Sequence, residues 1–191
     1  MFDVSIAGPL AGMIASIAAL VVGAQLTLVS DQSLLPALPL DILRQSTLGG
    51  GIIDAILGAG ALSVPPGAEL SQAVAGMTVS LHPVAVAGYI GLIVNGLALL
   101  PIGTTDGGRV ALSMFGREVK AAIGNIFLFA IFLFGVLGSD LFLFYFSFII
   151  AFQTGNEIPA RNEVDSISFS RVLLATGATV LAALTLIPFQ Q

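Results

Sequence analysis

The sequence has no cysteine, no tryptophan and a single histidine, and only 9% of its 191 residues are charged. Without cysteine there are neither disulfides nor thiolate metal sites, and the redox compartment leaves no trace. A hydrolytic zinc site needs three protein ligands and an open water position. With His82 alone, such a site would have to be built from one imidazole and carboxylates. HExxH does not occur, and neither does a Gly-x-Ser-x-Gly elbow or a phosphate-binding glycine loop. A single histidine supports no Ser/His/Asp triad, and the spacing reads His82 as a cap on the apolar run that begins at Pro83. Six Lys plus Arg in a chain of net charge −5 give no basic surface, so nucleic acid is excluded as a partner. Met1-Phe2-Asp3 lacks the positive n-region of a secretory signal and the Arg- and Ser-rich character of a transit peptide. The chain enters its first apolar run almost at once, as a fragment would, or a protein with little ahead of its first helix.

What is abundant is apolar surface. Hydrophobic residues make up 57% of the chain and the mean hydropathy is +1.04, whereas a soluble domain carries about 25% charged residues. The class is therefore all-α and polytopic in a lipid bilayer, with four or five transmembrane helices. Val4 to Ser30 is uncharged, which exceeds the ~20 residues a bilayer requires. Gly8, Gly12, Ser16, Ala19 and Gly23 recur along it at helical spacing, as close packing against another helix demands. Asp31 to Ser80 holds Asp31, Asp41, Arg44, Asp54 and Glu69, with turn signals at Pro36, Pro39, Gly49-Gly50-Gly51 and Pro65-Pro66-Gly67. Its apolar pieces are too short to span, so the pattern predicts short interfacial or re-entrant helices joined by loops. Val84 to Leu100 predicts the next span, followed by a loop carrying Asp106, Arg109, Arg117, Glu118 and Lys120. Ala121 to Ser139 and Leu141 to Phe152 predict a helical hairpin turning near Gly138-Ser139-Asp140. A polar loop from Gln153 to Ser168 precedes the last span, Val172 to Pro188. With no repeat or low-complexity tract, residues 1–191 read as one membrane-embedded domain, with 31–80 as its interfacial or re-entrant segment. Three of the six basic residues lie between Arg109 and Lys120, with Arg161 across the hairpin. The positive-inside rule puts both loops on the cytosolic or stromal side.

Asp106 is the candidate for chemistry. Before it, the nearest acidic or basic residue other than His82 is Glu69, so it closes a membrane-length apolar stretch. An ionisable group so placed is a functional-site hypothesis by default. It lies in Leu99-Leu100-Pro101-Ile102-Gly103-Thr104-Thr105-Asp106-Gly107-Gly108-Arg109, a Pro/Gly break that frees backbone groups needing partners. A metal ion would suit both needs, and Gly107 and Gly108 would permit positive φ and close backbone approach. A second reading stands beside this one, in which Asp106 is the N-cap of a new helix. Asn95, in mid-span, reads as polar glue between helices, or as a residue facing a site near Asp106.

These stretches resemble the site-2 proteases, membrane-embedded zinc metalloproteases that cleave transmembrane substrates, and among them the branch of cyanobacteria and plant and algal plastids. Phe2-Asp3-Val4-Ser5-Ile6-Ala7-Gly8-Pro9-Leu10-Ala11-Gly12 is similar to the family's Gly-Pro-x-Ala-Gly helix. His82-Pro83-Val84-Ala85-Val86-Ala87-Gly88-Tyr89 resembles the entry to its next span, and Leu99 to Arg109 its Asn-Leu-Leu-Pro-x-Gly-x-Leu-Asp-Gly-Gly-His/Arg motif. Ala160-Arg161-Asn162-Glu163-Val164 and the closing Leu184-Thr185-Leu186-Ile187-Pro188 look like the same branch.

The resemblance implies that Asp106 is the third zinc ligand, that Gly107 and Gly108 shape its turn, and that zinc polarises a scissile carbonyl and acidifies its bound water. Pro101, Gly107, Gly108 and Asn95 are then candidates for positioning substrate. It implies a bilayer setting in a chloroplast, thylakoid or cyanobacterial membrane, with transmembrane proteins as substrates; oligomeric state is not indicated. Three departures stand out. The family's HExxH helix belongs upstream of Gly8, Ala98 replaces the motif's Asn (with Asn95 one turn earlier), and Thr105 replaces an apolar residue. The expectation is therefore a protease-like chain that is incomplete or catalytically degenerate as it stands, which leaves its status as an enzyme open. The alternatives are a non-catalytic membrane scaffold or chaperone-like relative, and a small transporter or channel subunit with Asp106 in an ion path.

Overall fold

The computed structural model describes residues 1–63, 76–153, 155 and 168–189. The predicted Pro65-Pro66-Gly67 turn, Glu69, and the loop with Arg161 lie outside the described residues. Helices dominate: α1 Phe2–Val29, α2 Leu40–Leu43, α3 Thr47–Leu57, α4 Pro83–Ala98, α5 Asp106–Val136, α6 Asp140–Phe152 and α7 Phe169–Leu186, with a 3-10 turn at Gln32–Leu34. α1, α5 and α7 are long and apolar enough to cross a membrane, whereas α4 and α6 are shorter apolar helices. The chain divides into two compact units, one of Met1–Leu10 with Leu97–Ala182, the other of Ala11–Gly96 with Ala183–Gln191.

In the second unit, α1 and α4 run antiparallel in backbone contact. A methyl group added at Gly23 would strike the backbone of Ala85, one at Gly88 the backbone of Leu20 and Ser16, and one at Gly91 the Ser16 hydroxyl. At Gly12 and Gly23 nothing larger fits, as the spacing predicts, whereas a Cβ at Gly8, expected in the same stripe, would meet nothing within 4 Å. Thr27 fastens the end of this pair: its hydroxyl donates to the Gly23 carbonyl at 2.9 Å and accepts from the His82 amide at 2.9 Å. His82 in turn caps α4, its Nδ1 accepting from the Val84 amide at 3.3 Å.

The 31–80 stretch brings one correction. Beside the expected short helices it holds two strands, β1 Ala37–Pro39 and β2 Thr78–Ser80, paired antiparallel with Ala37 opposite Ser80. Three-residue strands show no usable alternation, and partners some forty positions apart leave no local signal. Ser46 caps α3, accepting from the Gly49 amide at 2.9 Å, and the buried Asp54 carboxylate gathers the amides of Gly60 and Leu62. The tail closes this unit, with the Phe189 amide on the Arg44 carbonyl at 2.7 Å and the Thr47 hydroxyl on the Ile187 carbonyl at 2.8 Å.

In the first unit the second correction appears. Residues 109–120, expected as a loop, are helical on both sides of Gly116, whose φ of 75° and ψ of 179° break α5 into two limbs. Charge density does not forbid a helix; only Gly116 adopts a conformation closed to other residues. The second limb comes back past the turn before α5, since Gly124 packs against the Pro101 carbonyl and the Ile102 backbone. The expected hairpin then forms at Gly138, with φ 119°. Gly135 lies against Leu143, and Phe132 meets Phe146 with ring centroids 5.1 Å apart. Arg171 at the start of α7 pairs with Asp3 at 2.7 Å on an exposed surface.

Candidate functional site

The site is the turn between α4 and α5, whose construction begins with Pro101. Proline has no amide proton, so the carbonyl four residues earlier, that of Leu97, loses its helical donor. Leu100 closes a shorter turn onto Leu97 at 3.2 Å, and the Tyr145 hydroxyl of α6 donates to the same carbonyl at 2.7 Å. Thr105 serves the next carbonyls. Its hydroxyl lies 2.8 Å from the Leu100 oxygen and 2.7 Å from the Ile102 oxygen, sharing one proton between them. The same oxygen accepts from the Gly108 amide at 3.1 Å and so caps α5. Gly103 takes φ 55° with the Gln153 backbone directly against it, and the Thr104 hydroxyl bonds the Gln153 side-chain carbonyl.

These contacts revise three expectations. The N-cap is Thr105, not Asp106, because a hydroxyl one residue earlier reaches the Gly108 amide. The Leu97 carbonyl is served by the Leu100 amide and the Tyr145 hydroxyl, and the Leu100 and Ile102 carbonyls by Thr105, so these groups do not call for a metal. Gly107 and Gly108 have no positive φ; that conformation belongs to Gly103. They are glycines because a Cβ at Gly107 would strike the Leu99 and Leu100 carbonyls, and one at Gly108 those of Ile102 and Gly103.

Asp106 is the first residue of α5 and half-buried. Its carboxylate sits where the helix dipole favours negative charge, yet no described residue hydrogen-bonds it or pairs with it. Pro101, Gly107 and Gly108 are therefore brought into one turn with Asp106. Asn95 belongs to the other unit, where its amide donates to the Gly91 carbonyl at 2.7 Å and lies against Gly12. Beside the turn is a cavity of about 280 Å³, its walls including Pro101, Gly107, Val110, Met114, Ile123 and Phe127. Among the described residues no three His, Cys, Asp or Glu side chains stand together. Asp106 is thus one carboxylate, and the described residues do not complete a zinc site.

Sequence reasoning missed Tyr145, Gln153 and the role of Thr105. A signal existed for two of them. A Thr just ahead of a helix start is an N-cap pattern, and Tyr145 is the one hydroxylated ring in the Phe-rich run from Leu141 to Phe152.

Comparison with known proteins gives a consistent set of relatives. The chain is 32% identical over 189 residues to a rice protein named probable zinc metalloprotease EGY1, chloroplastic, covering 98% of this chain and 30% of that protein. It is 35% identical over 122 residues to the Arabidopsis probable zinc metallopeptidase EGY3, covering 64% of this chain and 21% of the relative. The Arabidopsis EGY2 protein, named likewise, is 25% identical over 189 residues, 99% of this chain and 31% of its own length. The chain thus spans less than a third of the length of these curated relatives. No family model and no solved structure matches it.

Proposed function

The chain is a relative of the site-2 proteases through the plant chloroplast zinc metalloproteases, and on that premise we propose that it forms the C-terminal membrane core of such a protein, contributing Asp106 as one metal ligand. Kinship, apolar helices and the plastid connection agree on a multi-pass membrane protein whose relatives are named as probable chloroplastic zinc metalloproteases. The reading beyond that is ours. The observation that carries it is the Asp106 carboxylate, fixed on a braced turn and left without a partner among the described residues. A half-buried carboxylate in an apolar span is costly unless something binds it.

In this reading the chain by itself is catalytically incomplete, since its sequence has one histidine and no HExxH, and no step is routed through zinc. The missing ligands would be the two histidines of an HExxH helix, with its glutamate as base. Substrates would be transmembrane helices of other proteins, unwound at the turn so that a peptide bond becomes accessible. In this reading the protein is a single membrane-embedded domain of four or five passes. α1, α4, the second limb of α5 and α7 cross, α6 returns as the short arm of the hairpin, and 31–80 lies at the interface. The basic residues around Gly116 face the stroma or cytosol.

Ala98 in place of the motif's Asn favours a second reading, a non-catalytic membrane relative acting as scaffold or chaperone-like subunit. Reading the complete transcript separates the two: an in-frame HExxH on an apolar helix supports the protease, and a full transcript without one removes catalysis. In a product that carries HExxH, Asp106→Asn lowers zinc content and substrate cleavage together. Full zinc occupancy in that variant overturns the ligand role.

A further inference from the structure

We infer that Tyr145 is a positioning residue for the Asp106 turn, its hydroxyl completing the Leu97 carbonyl where Pro101 offers no amide proton. Pro101 leaves that carbonyl without its donor four residues on, and the Leu100 amide reaches it only in a shorter turn at 3.2 Å. Tyr145 is 6% exposed and its hydroxyl reaches the same carbonyl at 2.7 Å. Inside a bilayer the second lone pair of a carbonyl has no water to turn to. The neighbours of Tyr145 are phenylalanines, and a phenyl ring would fill the same space without a polar group to satisfy. The hydroxyl is therefore explained by its acceptor rather than by packing. Just past the end of α6, its C-cap Gln153 meets the same turn at Gly103 and Thr104. α6 thus holds the turn at both ends, Leu97 before Pro101 and Thr104 before the α5 cap. The path from α4 to Asp106 is fixed by a helix to which sequence motifs around Asp106 give no clue. The inference leans on the proposed function only for what Asp106 does; the positioning stands on the hydrogen bonds alone.

The dependence on Pro101 makes a test that packing cannot imitate. An amide restored at position 101 competes with the Tyr145 hydroxyl for the second lone pair of Leu97, so the hydroxyl should then matter less. Since the chain has no cysteine, D106C carries a single thiol whose reaction with a water-soluble maleimide reports the exposure of that position in the full chain in nanodiscs. Y145F should raise the labelling rate about tenfold where Pro101 is present, for the loss of one buried hydrogen bond. In a P101A background the same change should alter it less than about twofold. Equal effects of Y145F in both backgrounds, or none in either, overturn the inference. If Y145F prevents folding with Pro101 present, recovery of folded protein by adding P101A supports it, and failure in both backgrounds refutes it. Labelling requires no metal, so a failure of the zinc reading, seen as unchanged zinc in Asp106→Asn, leaves this result independent.

Discussion

Two carboxylates embedded in apolar sequence, Asp54 and Asp106, have met opposite fates. Asp54 is 6% exposed and fully engaged: its oxygens accept from the Gly60 amide at 3.0 and 3.2 Å and from the Leu62 amide at 3.1 Å. Asp106 is half-buried and accepts from no described residue, although the Leu97, Leu100 and Ile102 carbonyls of the turn around it are all bonded. The difference teaches which carboxylate the fold needs. Asp54 closes the loop after α3 and is consumed by that task, whereas the turn before α5 would stand without Asp106.

The comparison breaks most sharply at Asp54. Asp54→Ala strands the buried Leu62 amide and the part-buried Gly60 amide and should cost about 4 kcal/mol, since both lose charge-assisted bonds. Asp106→Asn should stay within about 0.5 kcal/mol of wild type, because no hydrogen bond from a described residue is removed. Reversible unfolding in detergent measures both, and equal losses would erase the distinction. Next in size is Gly107→Ala, whose methyl group would meet the Leu99 and Leu100 carbonyls and should cost about 3 kcal/mol by overpacking against backbone. Gly8→Ala is its control, since a Cβ there meets nothing within 4 Å and stability should be unchanged. Gly116→Ala comes third. Space is open at Gly116, so the expected cost of about 2 kcal/mol is purely conformational, from φ 75° and ψ 179°. Matching thermal shifts for Gly8→Ala and Gly116→Ala would mean that the reversal in α5 is not fixed by backbone geometry.

Much of this was legible in the sequence, and the rest was not for identifiable reasons. The uncharged run after Val4 and the small residues at Gly12, Ser16 and Gly23 gave α1 and its packing surface, because both are local patterns on one helix. The Gly138-Ser139-Asp140 turn was equally readable. The pairing of β1 with β2 was not, because its information lies in two segments that each look like nothing. The reversal at Gly116 was hidden by charge, which suggested a loop where a single glycine breaks an otherwise helical run. At the site, Asp106, Pro101 and the glycines could be found from their order in the chain. The donors that complete the turn could not, because Tyr145 and Gln153 arrive from a helix some forty to fifty positions away.

Asp31 offers a third carboxylate, and with it the smallest effect. It lies just beyond α1, exposed, and caps the 3-10 turn by accepting from the Ser33 amide at 3.0 Å and the Ser33 hydroxyl at 2.8 Å. The backbone bond first, and the hydroxyl bond second, hold its acidity below the ordinary carboxylate value of 3.8. A carboxylate depressed in the folded state contributes stability above its unfolded value, and that contribution is lost as pH falls through the folded one. The window therefore opens only below about pH 4. Ser33→Ala removes the lesser of the two bonds, so the Asp31 titration followed by carboxyl NMR should move up towards 3.8 without reaching it. Complete return to 3.8 would mean that the backbone amide contributes nothing.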